Sequence, residues 1–264
     1  MDVDKIEEAR AMAHLRVGEL KASGLLLESD KEGCIKMHDM VRDFAISIAS
    51  GENHRFLIKS GRGLNEWPRR ETFEQHVVIS LMSKNVPVLP DGLNCPKLEM
   101  LLLGENEGFE LIPDDFFAGM RFLKVLDLSE RAGVRSLNLD YGLVPNISLL
   151  LSSLKFPSSF KVLIKLQVLS LDHCTLDDMS ILGKLKGLEI LSLYGSNIKE
   201  LPDEIGDLNN LRLLDLTFCQ SLERIPEKLV SNLRRLEEFI HGRMLYALEN
   251  WQWITGRVLQ SMSF

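Results

Sequence analysis

The pattern L-x-x-L-x-L occurs five times in this chain, starting at Leu98, Leu123, Leu166, Leu188 and Leu211, and every defining position is leucine. A segment of that pattern has one apolar edge, which it can bury only against neighbours of the same kind. Recurrence is therefore a stronger constraint on the fold than any local propensity. The register continues three residues later with Asn106, Cys174 and Cys219, where a small polar group or a thiol can bond the turning backbone inside the stack. The second half of each unit recurs too, as Leu89-Pro90, Ile112-Pro113, Leu201-Pro202 and Ile225-Pro226, with Met179-Ser180 in the unit that lacks proline. Proline supplies no N–H and fixes φ, which suits the turn leaving a short parallel strand.

These units predict an α/β chain dominated by a leucine-rich-repeat solenoid of short parallel strands over residues 76–241. His76, Ile79 and Leu81 form a degenerate first unit, and Leu236, Phe239 and His241 begin a last one that has lost its third leucine. Successive starts are separated by 25, 43, 22 and 23 residues, so one unit carries an excess of about 20 residues. The step from Leu128 to Phe156-Pro157 shows the same excess. Both place an insertion at about 129–149, either a loop leaving the solenoid or a stretch that is not truly coding. Within it Val134, Leu137 and Leu139 imitate the repeat too soon after Leu123 to be another unit. Residues 242–264 hold no repeat; Met244, Leu248, Trp251 and Val258 fall at helical spacing, which allows a capping helix or an aberrant end.

Composition narrows the function classes. A net charge of −7 argues against nucleic acid or an anionic membrane as the main partner, since both call for a basic field. The acidic start has no apolar core of a signal peptide, and no apolar run is long enough to span a bilayer. Cys34, Cys95, Cys174 and Cys219 include no C-x-x-C pair, so reduced thiols in a cytosolic protein are expected and a zinc site is not. The Asn146 sequon means little without a secretory signal. Paired carboxylates, a nucleophile constellation and a metal cluster are all missing from the pattern, and the chain reads as a binding protein and not an enzyme.

Residues 3–23 read as a helix with Ile6, Ala9, Ala13, Val17 and Leu20 on one face, ended by Gly24. Two short strands, around Leu25–Leu27 and Cys34–Lys36, flank a polar turn. A second helix follows, with Asp39 as its N-cap and Val41, Phe44, Ala45 and Ile48 on its buried side. Helix, wing, helix is the order of the last part of a winged-helix domain, which sets domains at 1–50 and 76–241 with 51–75 as linker. His38, beside a helix start, could donate a hydrogen bond to an anion.

Met37-His38-Asp39, between a short wing and an apolar helix, resembles the MHD motif that closes the NB-ARC domain of plant intracellular immune receptors. Glu7 to Leu15 and Leu25 to Asp30 are similar to the same subdomain. Cys95 to Leu103, Glu200 to Gly206, and Leu211 to Cys219 followed by Arg224 to Glu227 resemble the repeats of its coiled-coil class. The resemblance runs over roughly residues 4–241, without the insertion. It implies that His38 contacts the β-phosphate of ADP, that Asp39 orients the loop and caps the helix, and that Met37 packs beneath. It implies that the repeats hold a nucleotide switch closed against the NB-ARC domain and sense a pathogen effector or a guarded host protein. A cytoplasmic location follows, with any membrane association arising through partners. The chain contains no G-x-x-x-x-G-K-[ST] phosphate loop. It therefore reads as a C-terminal fragment of such a receptor: ADP or ATP belongs to the intact parent, and this chain alone is expected to bind neither.

The partner is expected on the concave face, where the non-leucine strand positions point. One column is Leu102, Asp127, Ser170, Ser192 and Asp215; the next is Gly104, Ser129, Asp172, Tyr194 and Thr217, flanked by His173 and Phe218. Three aspartates and a tyrosine favour a basic partner surface; the alternative is a solvated strand face with no ligand. Two other readings compete: a stand-alone repeat scaffold, which gives His38 no role, and a winged-helix DNA regulator. The second is poorly supported, because the helix after His38 offers only Arg42, balanced by Asp43.

Overall fold

A computed structural model describes residues 5–29, 34–49, 55–60, 73–82, 89–104, 111–130 and 153–242. Asn106, most of the proposed insertion, and residues 243–264 lie outside these. The chain divides into two compact units, Met1–Phe56 and Leu57–Phe264.

In the first unit, helix α1 (Ile6–Ala22) is followed by an antiparallel ribbon of β1 (Leu27–Glu28) and β2 (Ile35–Lys36), then helix α2 (Asp39–Ala49). The element order is the one the sequence predicts. The predicted burial is not found. On α1 only Ile6 is buried, while Ala9, Ala13 and Leu20 are exposed. On α2 nothing is buried: Phe44 is 69% exposed and Ile48 64%, and Met40 on the same stripe is 72% exposed. Periodicity identifies the side of a helix that favours burial, but burial needs an opposing surface. A unit of this size has little apolar surface to offer one.

The second unit is built on one sheet. Strands β3 (Phe56–Ser60), β4 (Val78–Met82), β5 (Met100–Leu102), β6 (Val125–Asp127), β7 (Val168–Ser170), β8 (Ile190–Ser192), β9 (Leu213–Asp215) and β10 (Glu238–Ile240) lie side by side in chain order. From β4 to β10 every pairing is parallel and in register, which stacks Ile79, Leu101, Leu126, Leu169, Leu191, Leu214 and Phe239 in one column. The five leucines of that column are fully buried, as are Leu98, Leu123, Leu166, Leu188 and Leu211. The sheet starts earlier than the repeat pattern does. β3 lies inside the segment read as linker, and Phe73 is 1% exposed within the same core. Terminal units of a stacked array have a neighbour on one side only and drift from the consensus, which hides them from a pattern search.

β6 pairs directly with β7 although the intervening chain is about 20 residues longer than in other units. Past the excess the unit closes normally, with Ser158 N–H donating to Asp114 Oδ1 at 3.0 Å and Ser159 N–H to the Asp114 carbonyl at 3.1 Å.

The prolines mark short helical turns. Pro157 and Pro202 are the N-cap residues of the 3-10 helices Ser158–Val162 and Asp203–Asp207, with φ −70° in both. Met179, and not Ser180 as the pairing with Leu201-Pro202 implies, takes the same place before Ser180–Lys184, with φ −113°. The carbonyls of Pro113, Pro157, Met179, Pro202 and Pro226 each accept the N–H three residues on, at 2.9 to 3.2 Å. The recurring geometry is therefore the turn opposite the strand, and proline stabilises it by fixing φ where it occurs.

Candidate partner-binding face

After β7, β8 and β9 the residue three positions past the last strand leucine holds the stack from inside. Cys174 Sγ donates to the Leu128 carbonyl at 3.4 Å, Ser196 Oγ to that of Leu171 at 2.6 Å, and Cys219 Sγ to that of Leu193 at 2.9 Å. Ser196 is a member of this ladder that the Asn/Cys pattern passes over; a hydroxyl donates as well as a thiol. Burial pushes the Cys219 thiol up to about 11 and the Cys95 thiol up to about 12, so both are protonated and inert near neutral pH.

On the strand face the two columns of the sequence reading are adjacent and, apart from the buried Gly104, half-buried. Asp127, Ser170, Ser192 and Asp215 are cross-strand partners in register. Asp127 Oδ1 accepts the N–H of Ser129 at 2.9 Å, and Asp215 Oδ1 that of Thr217 at 2.8 Å. Serine stands in that column in the two units between, and in the second of them the N–H of Tyr194, two residues past Ser192, is bound instead by Asp172 Oδ1 at 3.1 Å from the preceding repeat. Ser192 Oγ donates to the same oxygen, and Ser129 Oγ meets Ser170 Oγ at 2.7 Å. Burial raises the Asp172 carboxyl above its ordinary range and Asp127 adds to the rise, against the lowering by Ser192, Ser170 and the Tyr194 N–H. Each aspartate so commits an oxygen to the fold.

His173, Tyr194 and Phe218 come together as a row of rings. The centroids of His173 and Tyr194 are 5.4 Å apart at 85°, and those of Tyr194 and Phe218 5.2 Å at 81°. Two further features went unread in the sequence. The second variable position of each L-x-x-L-x-L is Met100, Val125, Val168, Ile190 or Leu213, a half-exposed apolar column beside the polar one; its uniform apolar character was the available signal. The residue before each strand from β5 to β10 builds a polar ladder, with Lys124–Glu99 at 2.8 Å, Gln167 Nε2 donating to Glu189 at 3.0 Å, and Arg212 bridging Glu189 at 3.6 Å and Glu237 at 2.7 Å. These partners are separated by more than 20 residues in sequence, and only the repeat register aligns them.

In the first unit His38 is the residue that caps α2. Its carbonyl accepts the Arg42 N–H at 3.0 Å, and its Nδ1 accepts the Met40 N–H at 3.2 Å. This corrects the assignment of Asp39 as cap: Asp39 opens the helix and pairs with Arg42 at 2.8 Å, favourably placed for the helix dipole. With Nδ1 accepting, the neutral ring carries its proton on Nε2. Met37 beside it is 38% exposed.

No family model matches the chain. Among curated proteins it is similar to the disease resistance protein At4g27190 of Arabidopsis thaliana, with 34% identity over 84% of this chain and 21% of that protein. It is likewise similar to the disease resistance protein RPS5 of the same plant, with 32% identity over 84% of this chain and 26% of that protein. The chain is homologous to a segment of plant disease resistance proteins. It spans about a quarter of the length of these relatives. The aligned share exceeds what the unit Leu57–Phe264 holds, so the homology with this disease-resistance segment reaches into the first unit. Two solved repeat proteins are partly alike: internalin C2 of Listeria monocytogenes (20% identity, 65% of this chain and 74% of that one, TM-score 0.41) and the plant peptide hormone receptor RGFR1 in complex with RGF2 (20%, 72% and 32%, TM-score 0.45). Among the described residues no helix is long and apolar enough to cross a membrane.

Proposed function

We propose that the chain is the sensing end of a plant intracellular immune receptor, attached to the close of a nucleotide-dependent switch. The observation that carries this is homology to disease resistance proteins in one alignment that covers 84% of the chain and so reaches from the repeats into the first unit. In this reading the repeats bind a pathogen effector or a guarded host protein through Asp127, Asp172, His173, Tyr194, Asp215, Thr217 and Phe218, and hold the switch closed against an NB-ARC domain. The whole protein acts in the cytoplasm, and this segment catalyses nothing itself.

His38 is the switch residue of the proposal. With Nδ1 fixed by the Met40 N–H, Nε2–H is a single donor suited to a phosphate oxygen at the start of α2, where the helix dipole also favours an anion. One donor holds a nucleotide weakly, so ADP binding requires the phosphate loop that the chain does not contain. Two measurements test this. Calorimetry on the purified chain is expected to show no ADP binding, and micromolar affinity overturns the assignment. Grafted in place of the matching segment of the At4g27190 relative, the chain is expected to support ADP retention through purification, and His38→Ala to lose it. Retention unchanged by His38→Ala favours the plain scaffold reading.

A further inference from the structure

His173, Gly195 and Phe218 occupy the same place in three successive repeats, just past β7, β8 and β9. All three have left-handed backbone, with φ 60° at His173, 65° at Gly195 and 60° at Phe218. Glycine adopts this conformation freely; a ring-bearing residue does so at a cost that surrounding structure must offset. The middle repeat uses glycine, and its missing side chain makes room for a neighbour: a Cβ on Gly195 would lie 2.5 Å from His173 Nδ1. The imidazole fills that space and meets Tyr194 nearly at right angles, while Phe218 meets the other side of the row. These rings are not sealed in a core. Phe218 is 41% exposed, and His173 and Tyr194 are half-buried.

Within these three repeats the strand-face residues carry no fixed positive charge. Residues 168–173, 190–195 and 213–218 contain neither lysine nor arginine, while Asp172 adjoins His173 and Asp215 lies three residues before Phe218. Asp172 is tied to the Tyr194 N–H and Asp215 to the Thr217 N–H, so each carboxylate is fixed within reach of the ring row. Perpendicular aromatic faces beside fixed carboxylates form a surface complementary to a cation. We infer that this row seats an arginine side chain of a partner polypeptide, the guanidinium lying against Tyr194 and a flanking ring and bonding to Asp172 or Asp215. Arginine fits better than lysine because its planar group stacks on rings and presents a fork of donors to a carboxylate. The burial that raises the Asp172 carboxyl also strengthens its attraction to an incoming cation. The inference rests on the repeats being a partner-binding surface.

The test uses the whole chain with fluorescent hexa-arginine, hexa-lysine and hexa-citrulline peptides at low ionic strength, read by anisotropy. Hexa-arginine is expected to bind, hexa-lysine several-fold more weakly, and hexa-citrulline not measurably. Tyr194→Ala, Phe218→Ala and the pair Asp172→Asn with Asp215→Asn should each weaken hexa-arginine by about tenfold, with thermal melts confirming that the variants fold. Phe122→Ala, at an exposed ring elsewhere in the repeats, should change nothing. Absence of binding by the unmodified chain overturns the inference, as does binding of hexa-arginine that Tyr194→Ala and Phe218→Ala leave unchanged. Equal binding of hexa-citrulline that those variants abolish overturns the cation and leaves the face standing as a protein-binding surface. None of these outcomes bears on the His38 graft, so the two proposals fail separately.

Discussion

Asp172 reaches across a repeat boundary: its Oδ1 accepts the backbone N–H of Tyr194 at 3.1 Å, the amide that a residue of the same repeat binds in the units of Asp127 and Asp215. Ser192 is too short to close that turn alone and donates to Asp172 instead. The face that could meet a partner is therefore also part of what aligns neighbouring repeats.

The raised carboxyl of Asp172 has a consequence for pH. An acid with a folded value above its unfolded one binds more protons in the native state, so its charged form costs stability as pH rises through that window. The window opens near the ordinary value of 3.8 and extends upward. Asp172→Asn keeps an acceptor for the Tyr194 N–H and removes the charge. The melting temperature of the variant relative to the unmodified chain should increase between pH 4 and pH 7; a difference that is flat over that range contradicts the assignment.

The thiol at Cys34 is exposed and those at Cys95, Cys174 and Cys219 are buried. Alkylation of the native chain at pH 8 should label Cys34 alone, and denaturation should release the others, as counted by mass spectrometry. The buried sulfurs resist because they are shielded and, at Cys95 and Cys219, because the thiolate is suppressed.

Ser196 completes the ladder between Cys174 and Cys219. Ser196→Ala removes its bond to the Leu171 carbonyl, which still accepts the Cys174 N–H at 3.3 Å. Loss of one buried bond without an orphaned acceptor should cost about 1 kcal/mol in chemical denaturation. Ser196→Cys, which copies the neighbouring repeats, should cost less.

Met179 stands where Pro157 and Pro202 stand, and a consensus argument would place proline there. The structure argues the opposite. Met179 has φ −113° and ψ 10°, against φ −70° and ψ near 150° at the two prolines. Asp178 Oδ1 binds the Ser180 N–H at 2.9 Å in this unit, and that bond holds the Asp178 carboxyl below its ordinary range. Met179→Pro forces a different φ and should lower the melting temperature; a rise would show that the turn reshapes freely.

Arg212 lies between Glu189 and Glu237, with its side chain 18% exposed. Arg212→Ala should destabilise the repeats by about 1 kcal/mol, and added salt should shrink the difference because the pairs are near the surface. A loss unaffected by salt would assign the effect to the packing of the arginine stem.

Much of the repeat fold could be read in the sequence because leucine spacing and strand register are the same fact seen twice. Fixed intervals place Leu101, Leu126, Leu169, Leu191 and Leu214 in one column, and β6 pairs with β7 across the excess before Phe156. The polar ladder of Glu99, Lys124, Gln167, Glu189, Arg212 and Glu237 was equally present but carries no hydrophobic signal, so nothing in the pattern advertised it.

The amino-acid sequence by itself determined the stacked parallel strands, the leucine core, the helix–ribbon–helix order of the first unit and the homology to a disease-resistance segment. Tertiary structure alone decided that Phe44 and Ile48 are exposed, that His38 and not Asp39 caps α2, and that His173, Tyr194 and Phe218 form one row. Spacing fixes which residues repeat, because burial of a periodic edge depends only on the period. Which particular atoms meet depends on side-chain reach across a boundary, and that exists only once the repeats are stacked.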